Sequence, residues 1–346
     1  MILEYTVNSK LRRKVGQTNI EVSQIGFGAA PLGGFRGKIP EQEVTVTLQF
    51  ALDAGVNLFD TSPYYGYGRS ELRVGHFLRD LPRDQYVLST KVGRWLEPLD
   101  TKNPPADLRS GGLPFQPRFD YSASGTHRSL EQSMMRLGIP EIDIVYIHDV
   151  DIFTHIHSDV VEQHYKEVME GCYPELEKLR ASGVIKAIGV GINNTEMALR
   201  FAQDTDIDCI LLAGRYTLLE QEPLDTLLPH CVDQEIGIVL GGPFNSGVLA
   251  TGLGDNAKYD YGAVPEHIAT KVTALQNVCK RHGVDLISAA LQFPLAHKAV
   301  VSVIPGTMSL AEQQANIAAI NKPIPTDFWK DLKVEDLLRA DAPVPE

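Results

Sequence analysis

Four residues carry side chains suited to moving a proton without forming a covalent intermediate: Asp60, Tyr65, Lys91 and His148. Asp60 closes a short apolar run at 56–59, and Tyr65 follows it in a loop containing Gly66 and Gly68. Lys91 closes the run 86–91, and His148 closes the run 142–147. A carboxylate at the end of a buried run is costly unless a cation or hydrogen-bond donors meet it. Lys91 is the candidate partner. A tyrosine has an ordinary pKa near ~10, too high for a base at neutral pH, and a neighbouring ammonium favours its phenolate. His148 is placed to hydrogen-bond the phenol and orient a substrate oxygen. Singly, each has an ordinary explanation: a loop tyrosine, a solvated strand-end lysine, a core histidine. Together they form a proton-transfer device with no nucleophile. Such a device suits carbonyl–alcohol chemistry with a separate hydride carrier.

These four residues need elements that bring their ends to one rim. Eight short β-branched runs alternate with helical stretches, at 25–28, 56–59, 86–91, 142–147, 185–190, 208–213, 236–240 and 299–304. Helical periodicity is read at 41–54, 70–77, 122–137, 174–182, 195–202, 224–234, 265–282, 285–297 and 310–320. The alternation predicts a parallel sheet covered by helices, closed as a (β/α)8 TIM barrel, α/β in class. A small hairpin at 10–23 precedes it, and one domain is expected to span 1–346. A doubly wound sheet would need G-x-G-x-x-G after its first strand, and the run from Gly26 ends instead on Pro31. In barrels the active site sits at the C-terminal ends of the strands, where Asp60, Lys91 and His148 fall. Residues 94–121 contain five prolines and no helical period, so a long loop is expected over the mouth. The Pro-rich acidic tail after Lys322 is expected to lie on the barrel surface.

A chain of 346 residues with 43% hydrophobic and 22% charged residues can bury a large core. Its net charge of −12 speaks against a nucleic-acid partner. No apolar run is long enough for a membrane span, and the first residues do not resemble a signal peptide. Four scattered cysteines, Cys172, Cys209, Cys231 and Cys279, are expected as reduced thiols in a cytoplasmic protein. His155, His157 and Asp159 lack a full metal-ligand set, and no metal site is expected. Monomer and homodimer are both open.

The motifs Asp60-Thr-Ser-Pro-Tyr-Tyr65-Gly, Ser89-Thr-Lys91, Asp143-Ile-Val-Tyr-Ile-His148 and Ile304-Pro-Gly306 make the chain resemble the aldo-keto reductases over almost its whole length. The resemblance implies a catalytic tetrad of Asp60, Tyr65, Lys91 and His148, with a nicotinamide cofactor, NAD or NADP, extended over the mouth. Within that superfamily the chain is similar to the D-threo-aldose 1-dehydrogenases, the L-fucose dehydrogenases and the pyridoxal 4-dehydrogenases. The stretches Gly28-Ala-Ala-Pro-Leu-Gly-Gly34, Ile147-His-Asp-Val-Asp151, Gly189-Val-Gly-Ile-Asn193 and the run from Gly242 to Leu249 carry that likeness.

By motif, the resemblance assigns Gly191 and Asn193 to the nicotinamide amide, although the family's usual serine is absent here. It assigns Tyr216 to stacking on the nicotinamide ring. Pro243, Phe244, Asn245, Ser246, Gly247 and Leu249 match the segment over the pyrophosphate. Ile304, Gly306, Thr307 and Met308 lead to Gln313 and Asn316 at the adenosine. With no cation beside Met308, NAD is expected to be preferred, and NADP remains possible. Trp95, Tyr64 and His148 are the candidate substrate contacts, with Trp95 offering a ring face to a sugar.

The leading expectation is oxidation of an aldose at its anomeric carbon, to a lactone, with Tyr65 as base. Oxidation of pyridoxal and general aldehyde or ketone reduction are the alternatives within enzymes. A non-catalytic nicotinamide-sensing subunit on the same barrel is the alternative of another class.

Overall fold

The structure, a computed structural model, describes residues 7–105, 108–255 and 257–345. Positions 106 and 107 of the long loop, and the opening residues read for a signal peptide, lie outside the described residues. Eight parallel strands follow one another around a sheet: β1 (Phe27–Gly28), β2 (Leu58–Asp60), β3 (Val87–Val92), β4 (Ile142–His148), β5 (Ile185–Ile192), β6 (Cys209–Ala213), β7 (Gly237–Gly241) and β8 (Val300–Ile304). Each pairs with its sequence neighbour, and bridges Ile25–Val303 and Gly28–Gly306 join the first to the last. This is the expected (β/α)8 barrel.

Strand alternation explains why the chemistry gathers at one place. Successive side chains on a strand point to opposite faces, so every second residue enters the barrel. Leu58, Val87, Ile144, Tyr146, Ala187 and Leu211 form the interior cluster. The neighbours Phe59, Leu88, Val145 and Ile188 belong to the outer layer between strands and helices. Counting on by two along each inward column, β2 ends on Asp60, β3 reaches Ser89 and Lys91, and β4 ends on His148. The polar residues cap apolar columns at the C-terminal rim.

The other rim is plugged. Arg12–Lys14 and Glu21–Ser23 pair antiparallel as the expected hairpin. Its Val15, Ile20 and Val22 join the interior cluster from below.

Three regions depart from the sequence reading. The stretch expected as an irregular loop contains a two-stranded antiparallel ribbon, Arg94–Pro98 with Phe115–Phe119. Its partners lie between 17 (Pro98 with Phe115) and 25 residues (Arg94 with Phe119) apart, beyond the reach of local periodicity. The segment after β4, left without helices in the sequence reading, holds helices at Ile152–His155 and Ser158–Glu167 and a π-turn at Val168–Cys172. The tail folds as a helix, Thr326–Val334, whose Phe328 and Trp329 are fully buried, so it belongs to the core rather than lying loosely outside.

No helix among the described residues is long and apolar enough to cross a membrane. The four cysteines are buried and unpaired.

Candidate active site

The centre of the rim is a buried ion pair. Lys91 Nζ lies 2.8 Å from both carboxylate oxygens of Asp60 and donates to the Thr61 carbonyl at 2.8 Å. Ser89 adds a hydroxyl donor to Asp60 at 2.8 Å. Both charged side chains are almost wholly buried. Burial pushes the Asp60 carboxyl up and the Lys91 ammonium down, and each charge opposes the other's shift. One donor and one acceptor beyond the pair itself, the Ser89 hydroxyl and the Thr61 carbonyl, help to offset the desolvation. The helix Arg69–Leu78 fixes the next residue along the strand. Its fully buried Glu71 accepts from Thr90 at 2.7 Å and from Arg136 at 2.6 Å.

Tyr65 sits in the turn between β2 and this helix. The turn is tight because Gly66 has φ 67° and a Cβ there would lie 2.0 Å from the Gly33 carbonyl oxygen. Lys91 Nζ is 4.7 Å from the centre of the Tyr65 ring, and the His148 ring stands edge-on to it at 6.2 Å. Tyr65 keeps part of its surface open to solvent, though protein surrounds it densely. Burial, then the charges of Asp60 and Asp149, push the phenol well above its ordinary value, and Arg94 opposes them. The expectation that Lys91 lowers this phenol is therefore corrected. The ammonium is committed to Asp60, whose negative charge acts on the phenol in the opposite sense.

His148 is held by groups absent from the sequence reading. Arg94 Nη1 lies 2.9 Å from His148 Nδ1, and Arg94 Nη2 donates to Asp149 Oδ2 at 2.7 Å. Tyr121 donates to the His148 carbonyl at 2.7 Å. Burial holds His148 well below the ordinary imidazole range. Asp149 opposes this, and Arg94 and Lys91 reinforce it. His148 is thus neutral. Asp149 is held below its ordinary range: burial works against its charge, but with His148 neutral the ion pair and hydrogen bond with Arg94, helped by Lys91, outweigh burial. The hydrogen bond from His148 to the Tyr65 hydroxyl expected from the sequence is not formed among the described residues; the two meet through their rings.

The ribbon brings Arg94, to which the sequence assigned no role, to the site in place of Trp95. They are adjacent on one strand and point to opposite sides. Arg94 points to His148, and Trp95 points away. The Trp95 ring carries the Arg128 guanidinium at 3.5 Å, and its indole N–H donates to Asp120 at 3.2 Å. The sugar-facing role read for Trp95 is therefore corrected to packing of the ribbon. Tyr64 does reach the site: its ring lies 4.6 Å from the Arg94 guanidinium and 6.4 Å from the His148 ring. Signals for the missed residues were present. Asp149 stands in the run His148-Asp-Val-Asp151, and Arg94 follows Lys91 by three residues.

The segments read as cofactor-binding border the same rim. A Cβ on Gly191 would lie 3.6 Å from Lys91 Cε and 3.8 Å from His148 Cδ2, so this glycine leaves open space beside both. Asn193 is fixed by Asp151, which accepts from its backbone N–H at 2.7 Å. Tyr216 is a correction: it is fully buried against Phe293 and His297 and offers no ring face at the mouth. Leu249 is likewise fully buried in the core.

Pro243, Phe244, Asn245, Ser246 and Gly247 wrap past the end of β7. Asn245, Ser246 and Gly247 have φ of 43°, 63° and 108°, a tight turn closed by the Gly247 N–H donating to the Phe244 carbonyl at 2.9 Å. Asn245 donates to the Gly214 carbonyl at 3.1 Å, while its Oδ1 is buried without a partner. After β8, Ile304 is buried, Gly306 bridges Gly28, and Thr307, Gln313 and Asn316 form one buried network. In that network Gln313 Nε2 has no partner. Two orphaned buried polar atoms on the two segments fit an extended polar cofactor. The Met308 N–H donates to Glu312 at 2.9 Å, and Arg36 approaches the same carboxylate at 3.9 Å. Among the described residues no cluster of ligating side chains could hold a metal ion.

A family model described as the aldo/keto reductase family matches residues 24–334. The chain is 38% identical over 337 residues to the pyridoxal 4-dehydrogenase of Microbacterium luteolum, covering 94% of this chain and 98% of that one. It is 37% identical over 328 residues to the D-threo-aldose 1-dehydrogenase of a Pseudomonas species, covering 90% and 94%. A solved aldo-keto reductase from Bacillus halodurans, in its holo form, superposes with a TM-score of 0.73 over 97% of this chain and 98% of that one, at 21% identity.

Proposed function

The chain belongs to the aldo/keto reductase family, and on that premise we propose that it oxidises the anomeric carbon of an aldose, of the L-fucose or D-threo-aldose type, to the lactone. The observation that carries the reading is the convergence of a phenol, a buried ion pair and a neutral imidazole on one rim with no nucleophile among them. Oxidation removes a proton from the C1 hydroxyl and a hydride from C1. Tyr65 takes the proton. The Asp60–Lys91 pair fixes the floor against which the Tyr65 ring rests, and His148 holds the substrate oxygen. A bound nicotinamide supplies the hydride acceptor, and Gly191, Asn193, Asn245, Gln313 and Asn316 are the residues that would hold it. The relatives named for aldose and pyridoxal oxidation support this substrate class.

One observation favours a second reading. The raised phenol keeps Tyr65 protonated at neutral pH, the form that donates a proton. Reduction of an aldehyde is then favoured near neutrality, and oxidation of an aldose or of pyridoxal toward alkaline pH. A screen of aldoses, pyridoxal and simple aldehydes, run in both directions with NAD and NADP, tests the proposal. Lactone formation from an aldose, with a rate that climbs with pH, is the expected result. Turnover of pyridoxal or simple aldehydes alone would replace it with the second reading. Nicotinamide binding without any turnover would leave a sensing subunit.

A further inference from the structure

The Arg94–Asp149 pair does no work in the assignment above, yet it is buried against the imidazole on which that assignment depends. Arg94 is 4% exposed. Its guanidinium is planar and can only donate. One arm meets His148 Nδ1 at 2.9 Å and the other meets Asp149 at 2.7 Å. A ring nitrogen facing an obligate donor at that distance must present its lone pair, because two N–H groups would collide. The imidazole proton then sits on Nε2. Asp149 Oδ1 lies 3.4 Å from Nε2, longer than an ordinary hydrogen bond, and among the described residues Nε2 makes no hydrogen bond. The Nε2–H is therefore left for another oxygen.

From this geometry we infer that Arg94 is a positioning residue that fixes the imidazole of His148 as the neutral Nε2–H tautomer, the form its hold on the substrate oxygen requires. Asp149, at φ 56°, anchors the second arm of Arg94 and stops the guanidinium from rotating off the ring. The other groups facing the imidazole agree with a neutral ring. Lys91 is a further cation, the Ser62 hydroxyl lies 3.3 Å from Nδ1 and can donate to it, and Tyr64 and Tyr65 present their rings edge-on. The inference rests on the proposed function for its meaning, but its test does not need turnover.

Nitrogen-15 NMR of the wild-type protein, with His148 assigned by its loss in His148→Gln, reads the tautomer directly. The expected spectrum has Nδ1 unprotonated and Nε2 protonated throughout the neutral range. Arg94→Met should release the constraint, giving mixed tautomers and a His148 titration midpoint moved to higher pH. Its kcat should fall about 10- to 100-fold, with nicotinamide affinity changed by no more than a few-fold. Asp149→Asn retains Arg94 and should keep the tautomer. A wild-type spectrum with the proton on Nδ1, or an imidazolium at neutral pH, overturns the inference even if no variant folds. An Arg94→Met variant that keeps the single Nε2–H tautomer overturns the role of Arg94. A correct tautomer in a protein that turns over no carbonyl or alcohol would leave this inference standing and refute the proposed function.

Discussion

Replacing Lys91 with methionine separates the structural role of the buried pair from its chemistry. Lys91→Met removes three contacts at 2.8 Å, two to Asp60 and one to the Thr61 carbonyl, and leaves the 2%-exposed Asp60 with Ser89 as its remaining donor. Losing one partner of a buried ion pair costs about 3–5 kcal/mol. An unfolding entropy of about 2.1 cal/mol/K per residue gives about 0.7 kcal/mol/K for 346 residues, so Tm should fall by about 4–7 °C.

The loss should depend on pH. Burial raises Asp60, and Lys91 is the main group that opposes the rise, so in the variant the folded value climbs further above the unfolded one near ~3.9. A group raised on folding stabilises fully below its unfolded pKa and loses that contribution as pH rises through its folded pKa. The variant should therefore approach wild-type stability in acid and fall away toward neutral pH. Thermal and urea unfolding of both proteins at about pH 5 and about pH 8 measures the difference. Asp60→Asn combined with Lys91→Met should recover most of the stability at the higher pH without recovering turnover. A deficit below about 1 kcal/mol, or one equal at both pH values, would refute the buried-charge argument.

Tyr65→Phe should lower turnover about 100- to 10,000-fold while nicotinamide affinity stays within a few-fold, as single-turnover rates and a binding titration would reveal. In the wild type, the rate of alcohol oxidation should climb with pH and the rate of aldehyde reduction should fall, since Tyr65 is raised; opposite slopes would exclude Tyr65 as the titrating group. Trp95→Ala should loosen the ribbon by removing the ring under the Arg128 guanidinium and the donor to Asp120, changing KM for substrate and nucleotide alike; a selective rise in the substrate KM would return Trp95 to the pocket. NAD should bind about tenfold or more tightly than NADP, ~1.4 kcal/mol, because Glu312 stands beside Met308 where a 2′-phosphate would need a cation. Met308→Arg should narrow that gap in equilibrium binding, and a wild-type preference for NADP would point to Arg36 as the cation that reaches the ribose.

The strand order, the barrel and the meeting of Asp60, Tyr65, Lys91 and His148 at one rim were legible from the chain alone. Each strand is a contiguous apolar run, and a period of two says which side of it a terminal polar residue must share with the residues before it. What lay beyond the sequence was everything set by partners distant along the chain. Whether Arg94 or Trp95 faces the site is decided by the pairing of Arg94–Pro98 with Phe115–Phe119 and by the side from which that ribbon crosses the mouth. Tyr216 could be read as a stacking ring because its motif places it near the end of β6, but the core formed with Phe293 and His297 encloses it. The Tyr65 phenol was expected to be lowered by one nearby ammonium. Its actual direction is the sum of burial and every surrounding charge, and only the folded chain puts Asp60 against Lys91 and Asp149 within range. Local pattern fixes which residues end each strand, whereas orientation, enclosure and net field arise from contacts that no window of sequence contains.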